Sequence, residues 1–317
     1  MLPGSRNRSP IDEQGLLAAR RPYLELRARM IQAIRMFFIE QDFLEVDTPL
    51  LIPAPAPEPH IDAIKAGTGY LHTSPELCMK RLLAAGYPRI FQISKCFRDG
   101  ERGKVHLPEF TLLEWYRIGI DYKELMEDCE ELILRVARDL GMGEKIPYKG
   151  TYIDLKKSWE RISLSEAFDR FSHLTLEMAI QKDRFDEVLV REIEPCLGRT
   201  GPTILYDYPV SLASLARLRR DNPEVAERFE VYVGGVELAN GFSELTDSGE
   251  QRARFIEDRM KRRDSGKQVY PMPEKFLEAL KDMPEAAGIA LGVDRLAMIL
   301  ADRPEIDHVV SFTPEEI

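Results

Sequence analysis

The chain has 317 residues, of which 44% are hydrophobic and 31% are charged, and this composition fits one large or two ordinary globular domains. It contains no run of about 18 apolar residues, which argues against a membrane span. The formal net charge of −10 argues against a broad nucleic-acid-binding surface, although it leaves room for a local basic patch.

Residues 1–21 are polar and rich in Arg, Pro and Gly, and they lack the apolar segment of a secretory signal. We therefore expect a flexible tail over 1–21 and a cytoplasmic protein. The cysteines form no close pair and no C-x-x-C, so we expect reduced thiols rather than disulfides or a zinc site at Cys78, Cys96, Cys129 and Cys196.

Helical periodicity follows the polar N-terminal segment. Apolar residues recur at helical spacing through residues 22–41, and Pro22 suits the first turn of that helix. A short strand is predicted at 43–46. The alternation of Pro with small residues at 53–59 predicts an extended loop.

A second helix is predicted to open at Ser74, a good N-cap, with Pro75 at the first helical position and Gly86 at the end. The remaining elements are, in chain order, strands at 89–98 and 109–118, a helix at 122–140, a mainly helical excursion at 141–202, strands at 203–208, 228–233 and 236–240, helices at 249–263 and 273–282, a strand at 288–293 and a helix at 294–302. Hairpins that alternate with separate helices predict an α+β domain around an antiparallel sheet.

The hairpin formed by strands 89–98 and 109–118 carries the first group of chemically active side chains. The two-residue period of a strand places the following residues on one face: Gln92, Ser94, Cys96, Arg98, Phe110, Leu112, Glu114 and Tyr116. A solvated face with an ion pair would explain the charged members. However, Leu113 and Trp115 make the opposite face apolar, so we expect both faces to be covered. A covered ion pair is costly unless it serves a site.

The pair Gly234-Gly235 lies between β-branched residues and predicts a two-residue hairpin turn. With that turn Tyr232 pairs with Glu237, and Glu230 lies diagonal to Glu237 on the same face, at roughly 7–8 Å. Two carboxylates at this separation repel each other unless a cation lies between them. Mg²⁺, which takes one or two carboxylates together with substrate phosphates, fits this pair. A solvent-facing acidic pair is the alternative.

The second strand of this hairpin loses its alternation at Asn240-Gly241, which predicts a bulge or a turn there. Glu244 follows and is a candidate for the same cleft. Strand parity does not decide its direction.

Residues 288–296 combine a glycine-bearing strand with the start of a helix. Small residues at 288, 290 and 292 indicate a strand face that another group approaches closely. Asp294 is a good N-cap, and Arg295 then lies in the first turn, where the helix dipole disfavours a cation by roughly 0.3–1 kcal/mol. An arginine is useful there if it helps the helix terminus hold a phosphate. A surface arginine paired with an acid is the alternative.

Four segments resemble the lysyl-type class II aminoacyl-tRNA synthetases, and together they span most of the chain. They correspond to motif 1, motif 2, the amino-acid-pocket segment and motif 3 of that family, at residues 43–49, 97–116, 237–245 and 288–296 respectively. The combination is far more specific than any one segment. The resemblance implies a class II catalytic domain over 22–317, an antiparallel sheet flanked by helices, use of ATP and Mg²⁺, and a homodimer.

Two features are more similar to the elongation factor P–(R)-β-lysine ligases than to the lysyl-tRNA synthetases. The residues before the first predicted helix are too few for an anticodon-binding domain, and Ala290 stands where the synthetases have glycine. Residues 73–76 also resemble the ligases. A methyl group at 290 would crowd an α-amino group and tolerate one on the β-carbon. The resemblance implies that β-lysine is activated as an adenylate and passed to a lysine of elongation factor P, without stable tRNA binding.

The resemblance also implies a role for each matching residue. Arg98 and Arg295 are the expected catalytic residues, Arg98 at the α-phosphate and Arg295 at the triphosphate, while Phe110 stacks on adenine. Expected ATP-binding residues are Arg98, Asp99, Gly100, His106, Leu107, Phe110, Glu237, Leu238, Gly292 and Arg295. Expected Mg²⁺ ligands are Glu230 and Glu237. Expected amino-acid-binding residues are Ser74, Pro75, Glu76, Glu114, Tyr116, Asn240, Glu244 and Ala290.

Gly100 and Leu107 depart from the family pattern, which has Glu and Asn at these places. A nucleotide contact at Gly100 would come from the backbone, and Leu107 removes one polar contact near ATP. Two other functions stay open. One is an enzyme that makes an aminoacyl adenylate for tRNA or another amine. The other is a catalytically silent regulatory paralogue, which predicts the loss of arginine or acidic positions, and all of them are present.

Overall fold

The computed structural model describes residues 13–317. Its strands in chain order are β1 (Leu44–Glu45), β2 (Leu51–Ile52), β3 (Lys65–Ala66), β4 (Gly69–Leu71), β5 (Arg89–Phe97), β6 (Glu109–Ile118), β7 (Lys145–Tyr148), β8 (Thr151–Asp154), β9 (Glu160–Ser163), β10 (Thr203–Pro209), β11 (Val225–Val233), β12 (Val236–Ser243) and β13 (Ala286–Gly292). Its α-helices are α1 (Glu13–Glu40), α2 (Glu76–Ala84), α3 (Tyr122–Asp139), α4 (Leu164–Phe171), α5 (Leu176–Gln181), α6 (Phe185–Val188), α7 (Ser248–Asp264), α8 (Glu274–Ala279) and α9 (Val293–Leu300). Within residues 13–317, no helix is long and apolar enough to cross a membrane.

One eight-stranded sheet forms the centre of the fold, in the order β1-β5-β6-β13-β12-β11-β10-β9. Its inner pairs are antiparallel, and the two outermost pairs, β1 with β5 and β9 with β10, are parallel. The predicted α+β architecture around an antiparallel sheet is therefore confirmed. The β5–β6 and β11–β12 hairpins lie on either side of β13, so the sheet brings the three predicted motif regions together.

Helices α1, α3 and α9 pack against one face of this sheet. The core beneath them contains Trp115 and Phe38, and the ring of Phe38 stacks on that of Phe91 with centroids 4.7 Å apart. Leu113 is also fully buried there. The prediction that the Leu113 and Trp115 side of β6 is covered is confirmed. Its other side, with Glu114, is free to face a site.

Helix α1 begins at Glu13, so the flexible tail predicted for 1–21 is wrong from that residue onward, and residues 1–12 lie outside the described part of the chain. Pro22 lies inside the helix rather than in its first turn. The additional turns are held by a distant partner, because Arg20 donates to both carboxylate oxygens of Glu316, at 2.7 and 2.8 Å. Such a partner cannot be read from local periodicity.

The segment 141–202 is only partly the helical excursion that was predicted. It opens with the β7–β8 hairpin, whose turn residues Lys149 and Gly150 have φ of 48° and 77°. Strand β9 then joins the edge of the central sheet before α4, α5 and α6 form a separate apolar cluster. These strands have four residues each, too few for a clear two-residue period.

Candidate active site

A cleft with a cavity volume of about 380 Å³ opens on the sheet face opposite Trp115. Most residues predicted for the site line it: Ser74, Glu76, Arg98, His106, Leu107, Phe110, Glu114, Tyr116, Glu230, Glu237, Leu238, Asn240, Ala290, Gly292 and Arg295. The two-residue period of β6 and the small residues of β13 therefore point to the same cavity. The structure places these residues together, and their individual roles stay predictions.

Four predicted site residues do not line the cleft. Pro75 is buried as the N-cap of α2, one position later than the predicted cap Ser74. Asp99 and Gly100 lie in the exposed turn after β5, where Gly100 has φ of 72°. Glu244 lies just beyond the end of β12, buried behind the cleft wall.

One end of the cleft is built around the buried carboxylate of Glu114. The hydroxyl of Ser74 donates to one of its oxygens at 2.6 Å, and the hydroxyl of Tyr116 donates to the other at 3.1 Å. Burial, followed by the charge of Glu76, raises the pKa of Glu114 to about 8. A cation bound here would remove that unfavourable charge, so this end is suited to a substrate ammonium group.

A buried lysine lies behind this end of the cleft. Lys80 is 2% exposed, its Nζ lies 2.7 Å from Glu76 Oε1, and it forms an ion pair with Glu244. Burial alone would lower the pKa of Lys80, but the two glutamates outweigh it and raise that pKa. Burial raises the pKa of Glu244 to about 8. Sequence reasoning missed Lys80, although its spacing of four from Glu76 on α2 was a usable signal.

Gly288 leaves the space in which these groups meet. A Cβ added at this position would lie 2.1 Å from the ring of Tyr116 and 2.7 Å from Glu244 Oε1. The close approach predicted for this strand face is confirmed. Only glycine fits here without displacing buried groups.

We expect Gly288→Ala to lower the free energy of unfolding by about 1–3 kcal/mol and to weaken amine binding, because the added Cβ would displace the ring of Tyr116 and the carboxylate of Glu244. Urea titration measures the first effect and calorimetric titration the second. Gly103→Ala is the matched control, since the atom nearest its added Cβ is His106 Nδ1 at 3.8 Å. An equal loss of stability at both positions would contradict the steric explanation.

The middle of the cleft is marked by Arg98, which follows β5. Its guanidinium lies over the ring of Phe110, with Cζ 5.0 Å from the centroid, and its Nη1 lies 3.8 Å from Glu101 Oε2. Its buried Nε–H has no hydrogen-bond acceptor among residues 13–317. An unsatisfied buried donor costs free energy unless a ligand accepts from it. An anionic substrate group fits this place.

The other end of the cleft is organised by Arg295. Its Nη1 donates to the carbonyl oxygen of Glu237 at 2.6 Å and to Glu237 Oε2 at 3.0 Å, while its Nη2 lies 2.7 Å from His106 Nε2. Burial and the charge of Arg295 lower the pKa of His106, which favours the neutral ring that accepts from the guanidinium. The arginine is thus held at the start of α9, beside the open helix terminus.

Asp294 is not the N-cap that the sequence predicts, since Gly292 occupies that position. The Asp294 carboxylate instead accepts from the backbone N–H of Thr111 at 2.7 Å and from Arg27 at 2.8 Å. It therefore ties α1 and β6 to the helix that carries Arg295.

The two acidic residues of the β11–β12 hairpin do lie close together. Tyr232 pairs with Glu237 as predicted, and burial together with the charge of Glu237 raises the pKa of Glu230. Burial alone would raise the pKa of Glu237 as well, but Arg295 outweighs it and holds that pKa below its usual value. The pair fits a divalent cation, because buried Glu230 and half-buried Glu237 repel each other and a cation between them would remove that repulsion.

The bulge in this hairpin lies earlier than predicted. Val231 pairs with Ala239 while Tyr232 pairs with Glu237, which leaves Leu238 as the extra residue. Asn240-Gly241 continues regularly within β12. The extra residue reverses the strand's parity, so Glu237 and Asn240 both face the cleft.

Two further charged residues of the cleft, Arg228 and Glu58, were not predicted from the sequence. Arg228 donates to Glu230 Oε1 at 2.8 Å and lines the cleft, and its position two residues before Glu230 on a strand was an available signal. Glu58 also lines the cleft from the loop predicted at 53–59, where nothing in the sequence indicated its direction.

This fold and site define a catalytic domain of the class II tRNA synthetase type. The family model described as tRNA synthetases class II (D, K and N) matches residues 18–316. The elongation factor P--(R)-beta-lysine ligase of Vibrio atlanticus (strain LGP32) is 39% identical over 317 residues, which cover 91% of this chain and 94% of the relative. The proteins of the same name from Vibrio cholerae and Pectobacterium atrosepticum are 40% and 39% identical, with the same two coverages. The chain belongs to the class II tRNA synthetase family and, within it, to the group of the elongation factor P–(R)-β-lysine ligases.

Proposed function

We propose that this chain activates (R)-β-lysine with ATP and transfers it to a lysine side chain of elongation factor P. The observation that carries the proposal is the distribution of charge along one cleft. Buried Glu114, with Glu76 beside it, receives an ammonium group at one end, and the unsatisfied guanidinium of Arg98 receives a carboxylate further along. A lysine-like amino acid carries these two groups at its two ends. The relatives at 39–40% identity bear the ligase name.

In the proposed first step, a carboxylate oxygen of β-lysine attacks the α-phosphorus of ATP. The new bond gives the adenylate, and the bond from that phosphorus to the pyrophosphate oxygen breaks. The carboxylate is already a nucleophile, so the step needs positioning and charge neutralisation rather than a general base. Arg98 supplies charge at the α-phosphate, Arg295 holds the triphosphate, and Phe110 stacks on the adenine.

In the proposed second step, the neutral ε-amine of the acceptor lysine attacks the carbonyl carbon of the adenylate. An amide bond forms, the bond from that carbon to the AMP oxygen breaks, and the nitrogen loses a proton to water. AMP leaves with its negative charge, which the guanidinium of Arg98 still faces. The same residue therefore serves both halves of the reaction.

Glu230 and Glu237 are the residues that would hold Mg²⁺. When bound, the ion neutralises charge on the phosphate oxygens. Residues 13–317 contain no group of three or more His, Cys, Asp or Glu side chains placed to hold a metal, so phosphate oxygens and water would complete the coordination. This agrees with the preference of Mg²⁺ for few protein ligands.

The proposal extends to partners and location. The net charge of −10 argues against stable tRNA binding, which depends on neutralising phosphates. Cys78, Cys96, Cys129 and Cys196 are unpaired, which suits the reducing cytoplasm. A homodimer would cover large apolar side chains that are exposed near motif 1: Met36, Ile39, Leu44, Leu50 and Leu51.

The proposal is tested by amino-acid-dependent ATP–pyrophosphate exchange with wild type and Ala290→Gly. Ala290 lies between Glu114 and Asn240 on the neighbouring strands and lines the cleft, so its methyl group takes up space beside the proposed amino-acid site. We expect the wild type to prefer (R)-β-lysine over α-lysine, and the variant to lose about tenfold or more of that preference, the usual effect of one methyl group.

Each other outcome contradicts a different part of the proposal. A wild-type preference for α-lysine would favour a synthetase-like enzyme and a test of tRNA as acceptor. Absence of exchange with either amino acid would favour the silent paralogue. An unchanged preference in Ala290→Gly would leave the ligase reaction standing and remove the role of this methyl group.

A further inference from the structure

Glu58 is a carboxylate in the cleft to which the reaction above gives no role. Its side chain lines the main cleft and also a small adjoining cavity, which it shares with Ser74 and Glu76. It belongs to the proline-rich loop between β2 and β3, so no regular element directs it. The position of Glu58 must therefore be set by contacts between this loop and other parts of the chain.

The backbone around Glu58 is fixed from outside the cleft. Arg262, which is fully buried, donates to the carbonyl oxygens of Glu58 at 2.7 Å and Ile61 at 2.9 Å, and to Asp62 Oδ1 at 2.6 Å. Lys267 Nζ donates to the carbonyl oxygen of Pro59 at 2.9 Å. Because these charge-assisted hydrogen bonds hold the backbone, they fix the point from which the Glu58 side chain enters the cleft.

The carboxylate of Glu58, in contrast, has no hydrogen bond or ion pair of its own among residues 13–317. The charged groups that act on it are Glu76 and Asp258, which are acidic, and Arg98 and Arg228, which are basic. Burial and the charge of Glu76 raise the pKa of Glu58 to about 7, despite the two arginines. A carboxylate that lines the cleft without a partner is a vacant acceptor for a cation or a donor.

The location of Glu58 selects the kind of group it would accept. Arg98 is the proposed partner of the substrate carboxylate, and Glu76 borders the ammonium end, so Glu58 lies within the electrostatic range of both. The substrate of the proposed reaction carries a second amino group, two carbons from its carboxyl carbon. That amino group must lie on the stretch between the two ends of the cleft.

We propose that Glu58 is a specificity-determining residue that binds the second, non-terminal ammonium group of the diamino acid substrate. The cleft then binds three charged groups of the substrate, its two ammonium groups and its carboxylate, rather than two. This inference rests on the proposed function of the same site. Binding of that ammonium group supplies the partner that the Glu58 carboxylate lacks in the free protein. The terminal ammonium group remains with Glu114.

The test compares Glu58→Gln with wild type on two ligands, (R)-β-lysine and ε-aminocaproic acid, which has the same chain length and lacks the second amino group. We expect Glu58→Gln to raise KM for (R)-β-lysine in pyrophosphate exchange roughly tenfold or more, with a much smaller change in kcat, since a charge-assisted contact is lost. The inhibition constant of ε-aminocaproic acid should be the same in both proteins. Glu58→Asp should recover part of the loss.

Glu257→Gln is the matched control, because this carboxylate lies on α7 outside the cleft and its side chain is 67% exposed. Equal losses with both ligands in Glu58→Gln would overturn the inference, because the effect would then not depend on the second amino group. An unchanged KM would also overturn it. A defect confined to transfer would overturn it in favour of a proton acceptor for the attacking amine. Failure of wild-type exchange would instead refute the proposed function.

Discussion

Arg98→Ala is expected to lower the rate of (R)-β-lysine-dependent pyrophosphate exchange by at least about 10²- to 10³-fold while the protein stays folded. The guanidinium faces the cleft with an unsatisfied Nε–H, so the substrate rather than the fold receives its hydrogen bonds. Arg98→Lys should recover little of the loss, because a point charge does not reproduce a planar donor that bridges two groups. Exchange kinetics and a urea titration measure the two properties.

Arg170→Ala is the matched control for this prediction. Its guanidinium also lies over an aromatic ring, with Cζ 4.8 Å from the centroid of Phe171, but it lies outside the cleft. We expect normal exchange from it. If Arg98→Ala were so unstable in the urea titration that unfolding explained its loss of exchange activity, Arg98 would be a packing residue. Its role at the α-phosphate would then have to be abandoned.

Lys80→Met is expected to cost about 3–5 kcal/mol of stability, the usual penalty for removing one partner of a buried ion pair. The side chain is fully enclosed between Glu76 and Glu244, and its ammonium lies 4.9 Å from the ring centroid of Phe242. Without it, buried Glu244 and half-buried Glu76 lose their counter-ion beside Glu114. Denaturant unfolding at about pH 9, above the pKa of about 8 of Glu244, measures the change while that carboxylate is charged.

The double variant Lys80→Met/Glu244→Gln tests the cause of that loss. If the penalty comes from an uncompensated buried charge, removing the charge of Glu244 as well should restore part of the stability. Lys281→Met is the control for the substitution itself, since that lysine pairs with Glu278 on the surface and exposed pairs contribute little. A double variant less stable than Lys80→Met would mean that Lys80 acts through packing.

The parts of the fold that could be predicted are those set by local chemistry. The two-residue period of β6 correctly separated Glu114 and Tyr116 from Leu113 and Trp115, because a pleated strand has no other arrangement. The turn at Gly234-Gly235 correctly gave the Tyr232 to Glu237 pairing. The close approach at Gly288 followed from the row of small residues.

The parts that could not be predicted depend on contacts far apart in sequence. The N-terminal part of α1 is held by the ion pair of Arg20 with Glu316. The backbone of Glu58 is held by a hydrogen bond from Arg262 on α7. Asp294 resembles a helix cap locally, but its carboxylate is taken by Arg27 and Thr111. The bulge at Leu238 was predicted at Asn240-Gly241 instead, because two successive apolar residues, Leu238 and Ala239, do not by themselves show which residue lacks a partner.

The extra residue at Leu238 has a consequence for how this site can change over time or be redesigned. It divides β12 into two parts, since Glu237 before the bulge contacts Arg295 and Asn240 after it pairs with Ala290, the residues proposed for the phosphates and for the amino acid. Under the proposed function, we expect substitutions after the bulge to change which amino acid is accepted and to leave nucleotide binding intact. Deleting the extra residue would instead exchange inward and outward positions along the rest of the strand. One backbone irregularity would thus allow the choice of amino acid to change independently of nucleotide binding.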